Sequence, residues 1–362
     1  MFKVNNIKLI NYRNFNSCEI TFGERCNVLF GHNGSGKTNI IEAISLIGKG
    51  RGIRNDKLIN LIKYKEKNFE IHSNIQKNEI IYQTSVTSKK INDTLKKITS
   101  LNNEISSEAT SFIYSSLSFI IFLPEMERLF LSSPNKRRDF LDKLIFSENK
   151  NYNQIVNKYK RYIQERTKIL QSYKYDHQWI AEIEKNISFL GLEIYKLRNK
   201  KINDLEDELK KINKVSTFNN NIEFELHDEY FKYSLNHQKY LDLLKNNRDY
   251  DKKFGGSKVG PHKSDINVFF DNKLHASQLS TGQQKTLVLL ILIAQCNYLI
   301  FKKNFRPVLL LDEICSHLDD SNRELLLDLS ERFDIQMFMT GTHKSLFSFI
   351  STKANFYNIT DL

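Results

Sequence analysis

The chain is short of cysteine. The four it has, at 18, 26, 296 and 315, form no C-x-x-C pair and lie at no histidine-flanked ligand spacing. Zinc, dithiol redox and disulfide roles are thereby excluded. Long apolar runs are also missing: the longest strongly apolar stretch, Leu287 to Ala294, falls well below the ~20 residues that span a bilayer. The opening Met1-Phe2-Lys3-Val4-Asn5 does not read as a signal peptide, so a cytoplasmic protein is expected. No internal repeat or low-complexity tract stands out, and Asn213 to Asn221 and Lys252 to Gly260 read as polar linkers. Acid is scarce relative to base: 42 Asp and Glu against 54 Lys and Arg leave a net charge of +12, which suits a polyanionic partner. Lysine clusters such as Lys63, Lys65 and Lys67, or Lys96 and Lys97, read as solvated faces. The 362 residues suffice for one large core and a second, smaller unit.

What is present begins with Gly31-His32-Asn33-Gly34-Ser35-Gly36-Lys37-Thr38, which fits G-x-x-x-x-G-K-[ST], follows the apolar stretch Cys26 to Phe30 and opens a helical pattern. Strand, loop and helix come in the order a phosphate-binding loop requires. The glycines permit a backbone whose amides converge on phosphate oxygens at a helix N-terminus. Lys37 is placed for the β and γ phosphates of ATP, and Thr38 for Mg²⁺.

Downstream, Val308 to Leu311 reads as a strand buried on both faces, ending in Asp312-Glu313. This looks like a Walker B element. Asp312 is then a metal ligand, and Glu313 the catalytic carboxylate that polarises the attacking water. Between the two lies Leu279-Ser280-Thr281-Gly282-Gln283-Gln284-Lys285, which resembles the signature loop of ABC-type ATPase heads. In such heads Ser280, Gly282 and Gln283 would face the ATP held by the other subunit. Ser316-His317-Leu318-Asp319 resembles the D-loop, with Asp319 its acid, and His343, three residues past the strand-like Gln336 to Thr340, falls near a switch histidine.

The N-terminus narrows the resemblance. Asn11-Tyr12-Arg13-Asn14-Phe15, Glu19-Ile20-Thr21-Phe22, Phe122-Leu123-Pro124-Glu125, Arg137-Arg138-Asp139-Phe140-Leu141-Asp142 and Gly260-Pro261-His262-Lys263-Ser264-Asp265 together resemble the RecF family of DNA repair ATPases, over nearly the whole chain. The resemblance implies an α/β fold: an ABC-type P-loop ATPase head with a mixed β-sheet core, plus a mainly helical inserted lobe. It implies head segments at 1–125 and 253–362 around a lobe at 126–252. It implies a slow, DNA-stimulated ATPase that dimerises on ATP, binds gapped DNA at single-strand to double-strand junctions, and helps load RecA with RecO and RecR in replication, repair and the SOS response. Arg13, Arg54, Arg137, Arg138 and His343 are candidate nucleotide or DNA contacts. Two departures stand out: Thr281 replaces the usual Gln and Lys285 the usual Arg, losing a planar, bidentate donor.

Spacing limits the arm. Lys37 and Ser280 lie only roughly 240 residues apart, too few for the long rod of chromosome-organising ATPases. Ile180, Ile183, Ile187, Leu190, Ile194 and Leu197 keep a three-four alternation that breaks phase before Ile202, Leu205, Leu209 and Ile212. A helix of some 35 residues, roughly 50 Å long, paired with Tyr152 to Leu170, is expected. Rival readings are an SMC-like chromosome-associated ATPase, the nucleotide-binding subunit of a transporter, which would need a membrane partner, and a nuclease of the overcoming-lysogenization-defect type, for which the sequence after the switch strand leaves no catalytic domain.

Overall fold

The computed structural model describes residues 2–173, 176–215, 221–230, 235–271, 274–315, 323 and 335–361. In chain order these form β1 Phe2–Val4, β2 Asn6–Tyr12, β3 Phe15–Thr21, β4 Cys26–Phe30, α1 Lys37–Ile47, β5 Glu70–Lys77, β6 Ile80–Ile91, β7 Thr94–Leu101, α2 Ser107–Ser116 and β8 Phe119–Phe122. There follow α3 Pro134–Glu148, α4 Tyr152–Gln171, α5 His177–Val215, β9 Ile222–His227, α6 His237–Asn246, α7 Arg248–Phe254, β10 Asp265–Phe270, β11 Leu274–His275, α8 Thr281–Asn297, β12 Val308–Leu311, β13 Met337–Gly341 and β14 Ala354–Asn358. They divide into two compact units: Met1–Glu127 with Lys285–Leu362, and Arg128–Gln284.

The first unit holds two sheets of opposite kinds. One is parallel, in the order β14-β4-β13-β12-β8, and the other antiparallel, β3-β2-β5-β6-β7, with β1 paired to β5. Every residue of β12 and β13 is buried, as a strand covered on both faces demands. The antiparallel strands alternate instead: β5 reads buried at Ile71, Ser73 and Ile75 and half-exposed between them. Helix α1 packs against strands of both sheets, and nine of its 11 residues are buried. The segment Thr281–Lys302, which runs through α8 into a π-helical turn, is long and apolar enough to cross a membrane by length and composition; 83% of its apolar window is buried, so it serves as a core helix.

The second unit is mainly helical. α5 runs unbroken for 39 residues, about 58 Å, longer than the sequence pattern predicts. α4, α3 and α6 pack along it, and β9, β10 and β11 form an antiparallel sheet against which α5 and α3 lie. The apolar phase breaks near 198 because Arg198 and Lys201 take the inward positions, each bound to an acid: Arg198 to Asp142 at 2.8 Å and Lys201 to Glu148 at 2.6 Å. The helix continues where the aliphatic pattern stops.

Candidate nucleotide site

The loop between β4 and α1 has the backbone its glycines allow. Gly36 sits at φ 105°, and a Cβ there would lie 2.5 Å from Cζ of Phe15 and 2.8 Å from Nδ2 of Asn14. The Asn14-Phe15 turn of the N-terminal motif therefore packs directly under the loop. Asn14 Nδ2 donates to the Ser35 carbonyl at 3.3 Å, and Asn14 Oδ1 accepts from Asn39 at 2.8 Å. On the other flank His32 Nδ1 lies 3.0 Å from the Thr360 hydroxyl, next to the last strand. Asn33 and Gly34 are exposed at the tip.

Lys37 is nearly buried, and its ammonium donates to the carbonyls of Gly31 and His32, both at 2.8 Å. Burial lowers its pKa, opposed by the charges of Glu313 and Asp312. Ser35 Oγ is buried without a hydrogen-bond partner among the described residues. A buried, unpartnered hydroxyl in this glycine-rich loop fits a group that brings its own oxygens, as a triphosphate does.

The parallel sheet brings the remaining chemistry alongside. β13 lies between β4 and β12, so the ends of the three strands converge. Thr38 Oγ1 is 3.0 Å from both carboxylate oxygens of Asp312. Burial raises the Asp312 pKa, while hydrogen bonds from Thr340 and Thr38 and the charges of Arg54 and Lys37 act to lower it. Thr38 and Asp312 are hard oxygen donors, and Mg²⁺ takes one or two such protein ligands and completes its shell with phosphate and water. Glu313 follows, exposed and at φ 49°, its amide donating to Thr340 Oγ1 at 2.7 Å.

Within α1, Glu42 is fully buried and accepts three hydrogen bonds from two residues. Arg13 donates to it through Nε at 2.8 Å and Nη2 at 2.9 Å, and Tyr12 through its hydroxyl at 3.0 Å. Arg13 also binds Asp56 at 2.6 Å, so its guanidinium is engaged inside the unit. Arg54 lies farther out: Nη1 donates to Asn39 at 2.9 Å and approaches Glu42 at 3.6 Å, with 39% of the side chain exposed.

The signature residues lie at the start of α8. Ser280 and Gln283 form a reciprocal capping box, Gln283 N–H to Ser280 Oγ at 3.3 Å and Ser280 N–H to Gln283 Oε1 at 2.9 Å, and residues 280–283 are exposed together with Gly282 among them. Lys285, one of the sequence departures, points inward and pairs with Glu127 at 2.6 Å. Arg137 and Arg138 are held within their own unit: Arg137 by Asp265 at 2.6 Å, Arg138 by the Ser264 carbonyl and Asn135. His343 is exposed at the start of a short 3₁₀ turn, and Asp319 lies outside the described residues. Thr340, Glu42 and Thr360 carry contacts that motif reading does not single out. For Thr340 a signal exists, a lone hydroxyl closing the apolar Met337-Phe338-Met339 run.

Residues 26–342 match the family described as "AAA domain, putative AbiEii toxin, Type IV TA system". The whole chain is similar to the DNA replication and repair protein RecF of Rickettsia conorii, 31% identical over 97% of each chain, and to that of Rickettsia typhi, 32% identical over 94% of each. Among solved structures it is similar to the recombination mediator protein RecF with ATPrS in the RecFOR pathway, with a TM-score of 0.85 at 24% identity, covering 99% of this chain and 97% of that one. It is also similar to an Smc head domain from Pyrococcus furiosus bound to the C-terminal domain of ScpA, with a TM-score of 0.53 at 16% identity, covering 96% and 92%. The fold is that of an ABC-type P-loop ATPase head.

Proposed function

The chain belongs to the RecF family of DNA replication and repair proteins, built on an AAA-type ATPase domain, and from that premise we propose that it is a nucleotide-gated clamp on gapped DNA. The observation that carries the reading is the convergence of Lys37, Thr38, Asp312 and Glu313 around a loop whose Ser35 hydroxyl is unpartnered. Residues 1–125 and 253–362 act as the head, and 126–252 as the lobe.

Loop amides and Lys37 bind the ATP phosphates and orient the γ phosphate. Thr38 and Asp312 would hold Mg²⁺, which would neutralise phosphate charge. Glu313 accepts a hydrogen bond from the attacking water and aligns it with the γ phosphate. The exposed Ser280, Gly282 and Gln283 complete the site of a second copy, so that ATP forms part of a homodimer interface. Dimer closure presents Arg54 and other cations to DNA at a single-strand to double-strand junction, and hydrolysis, slow and stimulated by DNA, opens the pair. Arg13, Arg137 and Arg138 support this from within their units. His343, two residues past the end of β13, is the candidate sensor of the γ phosphate. In the cell the protein works in the cytoplasm on nucleoid DNA, with RecO and RecR, to help load RecA during repair and the SOS response.

The deciding experiment is the sedimentation-derived molar mass of the Glu313→Gln protein, with and without ATP and a gapped duplex. A dimer that requires ATP and is strengthened by the duplex is expected. A monomer under every condition overturns the clamp.

A further inference from the structure

Thr340 occupies the one strand end between the phosphate loop and the Asp312-Glu313 pair. Its side chain is fully buried, and its hydroxyl does two things at once. The proton is donated to Asp312 Oδ1 at 2.7 Å, and the oxygen accepts the Glu313 amide at 2.7 Å. Asp312 receives a second hydroxyl from Thr38, 3.0 Å from each oxygen. The carboxylate is therefore held by two hydroxyls, one from the end of β13 and one from the first turn of α1, and cannot rotate without losing one. Glu313, meanwhile, has the left-handed backbone of φ 49°, which a non-glycine residue keeps only when its surroundings over-determine it. The bond from its own amide to Thr340 is a restraint of that kind.

We infer that Thr340 is a positioning residue for ATP hydrolysis: one hydroxyl fixes the direction of the Asp312 carboxylate and the backbone turn that aims Glu313, without itself touching the nucleotide. The inference rests on the ATPase reading above. A valine at this position keeps the shape of threonine and loses both bonds; a serine keeps both and loses only the methyl group.

Thr340→Val is expected to lower kcat by about 10- to 100-fold while the KM for ATP moves less than about threefold, because alignment is lost and binding is not. Thr340→Ser should stay within about threefold of the parent. The effect must also run through Glu313. In a Glu313→Gln background, adding Thr340→Val should cost a smaller factor than in the parent, because only the Asp312 arm remains to be lost. A readout independent of turnover is hydrogen exchange at the Glu313 amide, at least about tenfold faster in Thr340→Val and unchanged in Thr340→Ser.

A Thr340→Val protein that turns over at the parent rate overturns the inference. So does a Thr340→Ser protein as slow as the valine variant, which would assign the effect to methyl packing, or a valine effect that multiplies fully with Glu313→Gln. Should Thr340→Val not fold, Thr340→Cys, a weak hydrogen-bonding isostere of serine, must be slower and exchange faster than Thr340→Ser; equality overturns the inference. If the parent protein hydrolyses no ATP, the proposed function fails, and amide exchange alone decides the role of Thr340.

Discussion

The two units bury different things. In the first, β12 and β13 are almost wholly apolar and the charged groups gather where the strands end. In the second, charge runs through the interior. Arg166 is fully buried among Glu184 at 3.0 Å, Asp251 at 2.6 Å and the Leu244 carbonyl at 2.7 Å, and Arg248 reaches the same Glu184 at 2.5 Å. Arg198 joins Asp142 to the Pro261 carbonyl, so that α5, α3 and the Gly260-Pro261-His262 turn share one guanidinium. Apolar layers tolerate small shifts, whereas a buried ion pair is satisfied in one geometry only. The parallel sheet of the first unit thus leaves its polar groups at the strand ends, where chemistry is done, and the second unit spends its own on fixing its shape.

That contrast can be broken at either end. The largest effect is expected in the head: Glu313→Gln should slow hydrolysis by roughly 10²- to 10⁴-fold with ATP binding preserved, measured by phosphate release and equilibrium binding. A parent-like rate would reassign the water-orienting role.

In the lobe, Arg166→Met strands Glu184 and Asp251 in a dry interior and should cost about 3–5 kcal/mol in denaturant unfolding. If shape rather than energy is what the charges supply, the triple replacement Arg166→Met, Glu184→Leu, Asp251→Leu should recover most of that loss. A triple variant as unstable as the single one would show the pairs to be net stabilising.

The smallest effect concerns His262. Its Nε2–H donates to the Ser257 carbonyl at 2.9 Å, which leaves Nδ1 to accept the Tyr159 hydroxyl at 2.7 Å, so the ring is held neutral. Burial pushes its pKa down from 6.5 to about 4, opposed by the Ser257 bond, and Lys263 and Arg138 push the same way as burial, against Asp228. Because the folded value lies below the unfolded one, the stabilisation is complete above pH 6.5 and is lost as pH falls toward 4. Across that window the parent should lose roughly 2 kcal/mol more than His262→Gln in unfolding titrations. Parallel pH profiles would remove His262 from the account.

Much of the head was legible because its residues act locally. Gly31 to Thr38 declare a loop, Val308 to Leu311 a buried strand, and Asp312 and Glu313 the acids at its end. The lobe was less legible for a physical reason. Periodicity counts apolar residues, and α5 turns Arg198 and Lys201 inward, so the helix looks interrupted where it is continuous. The Gly260-Pro261-His262 block was recognisable as a motif, but its work depends on partners far away in sequence. A Cβ on Gly260 would lie 2.2 Å from the Tyr159 hydroxyl and 2.4 Å from that of Tyr240, which no local rule reveals. Thr340 escaped for the same reason: one hydroxyl in an apolar strand gains meaning only once β13 lies beside β12.

The place of β4 has a consequence for the making of the protein. Cys26–Phe30 is a nearly buried strand whose two neighbours in the sheet are β13 and β14, both encoded about 300 residues later. At a synthesis rate of about 5–20 residues per second, this apolar segment waits some tens of seconds on the ribosome with neither edge paired. The nascent chain therefore exposes an aggregation-prone strand for most of its elongation, and its phosphate loop cannot mature until Met337–Gly341 has emerged. Ribosome-associated chaperones should engage this protein early and release it late.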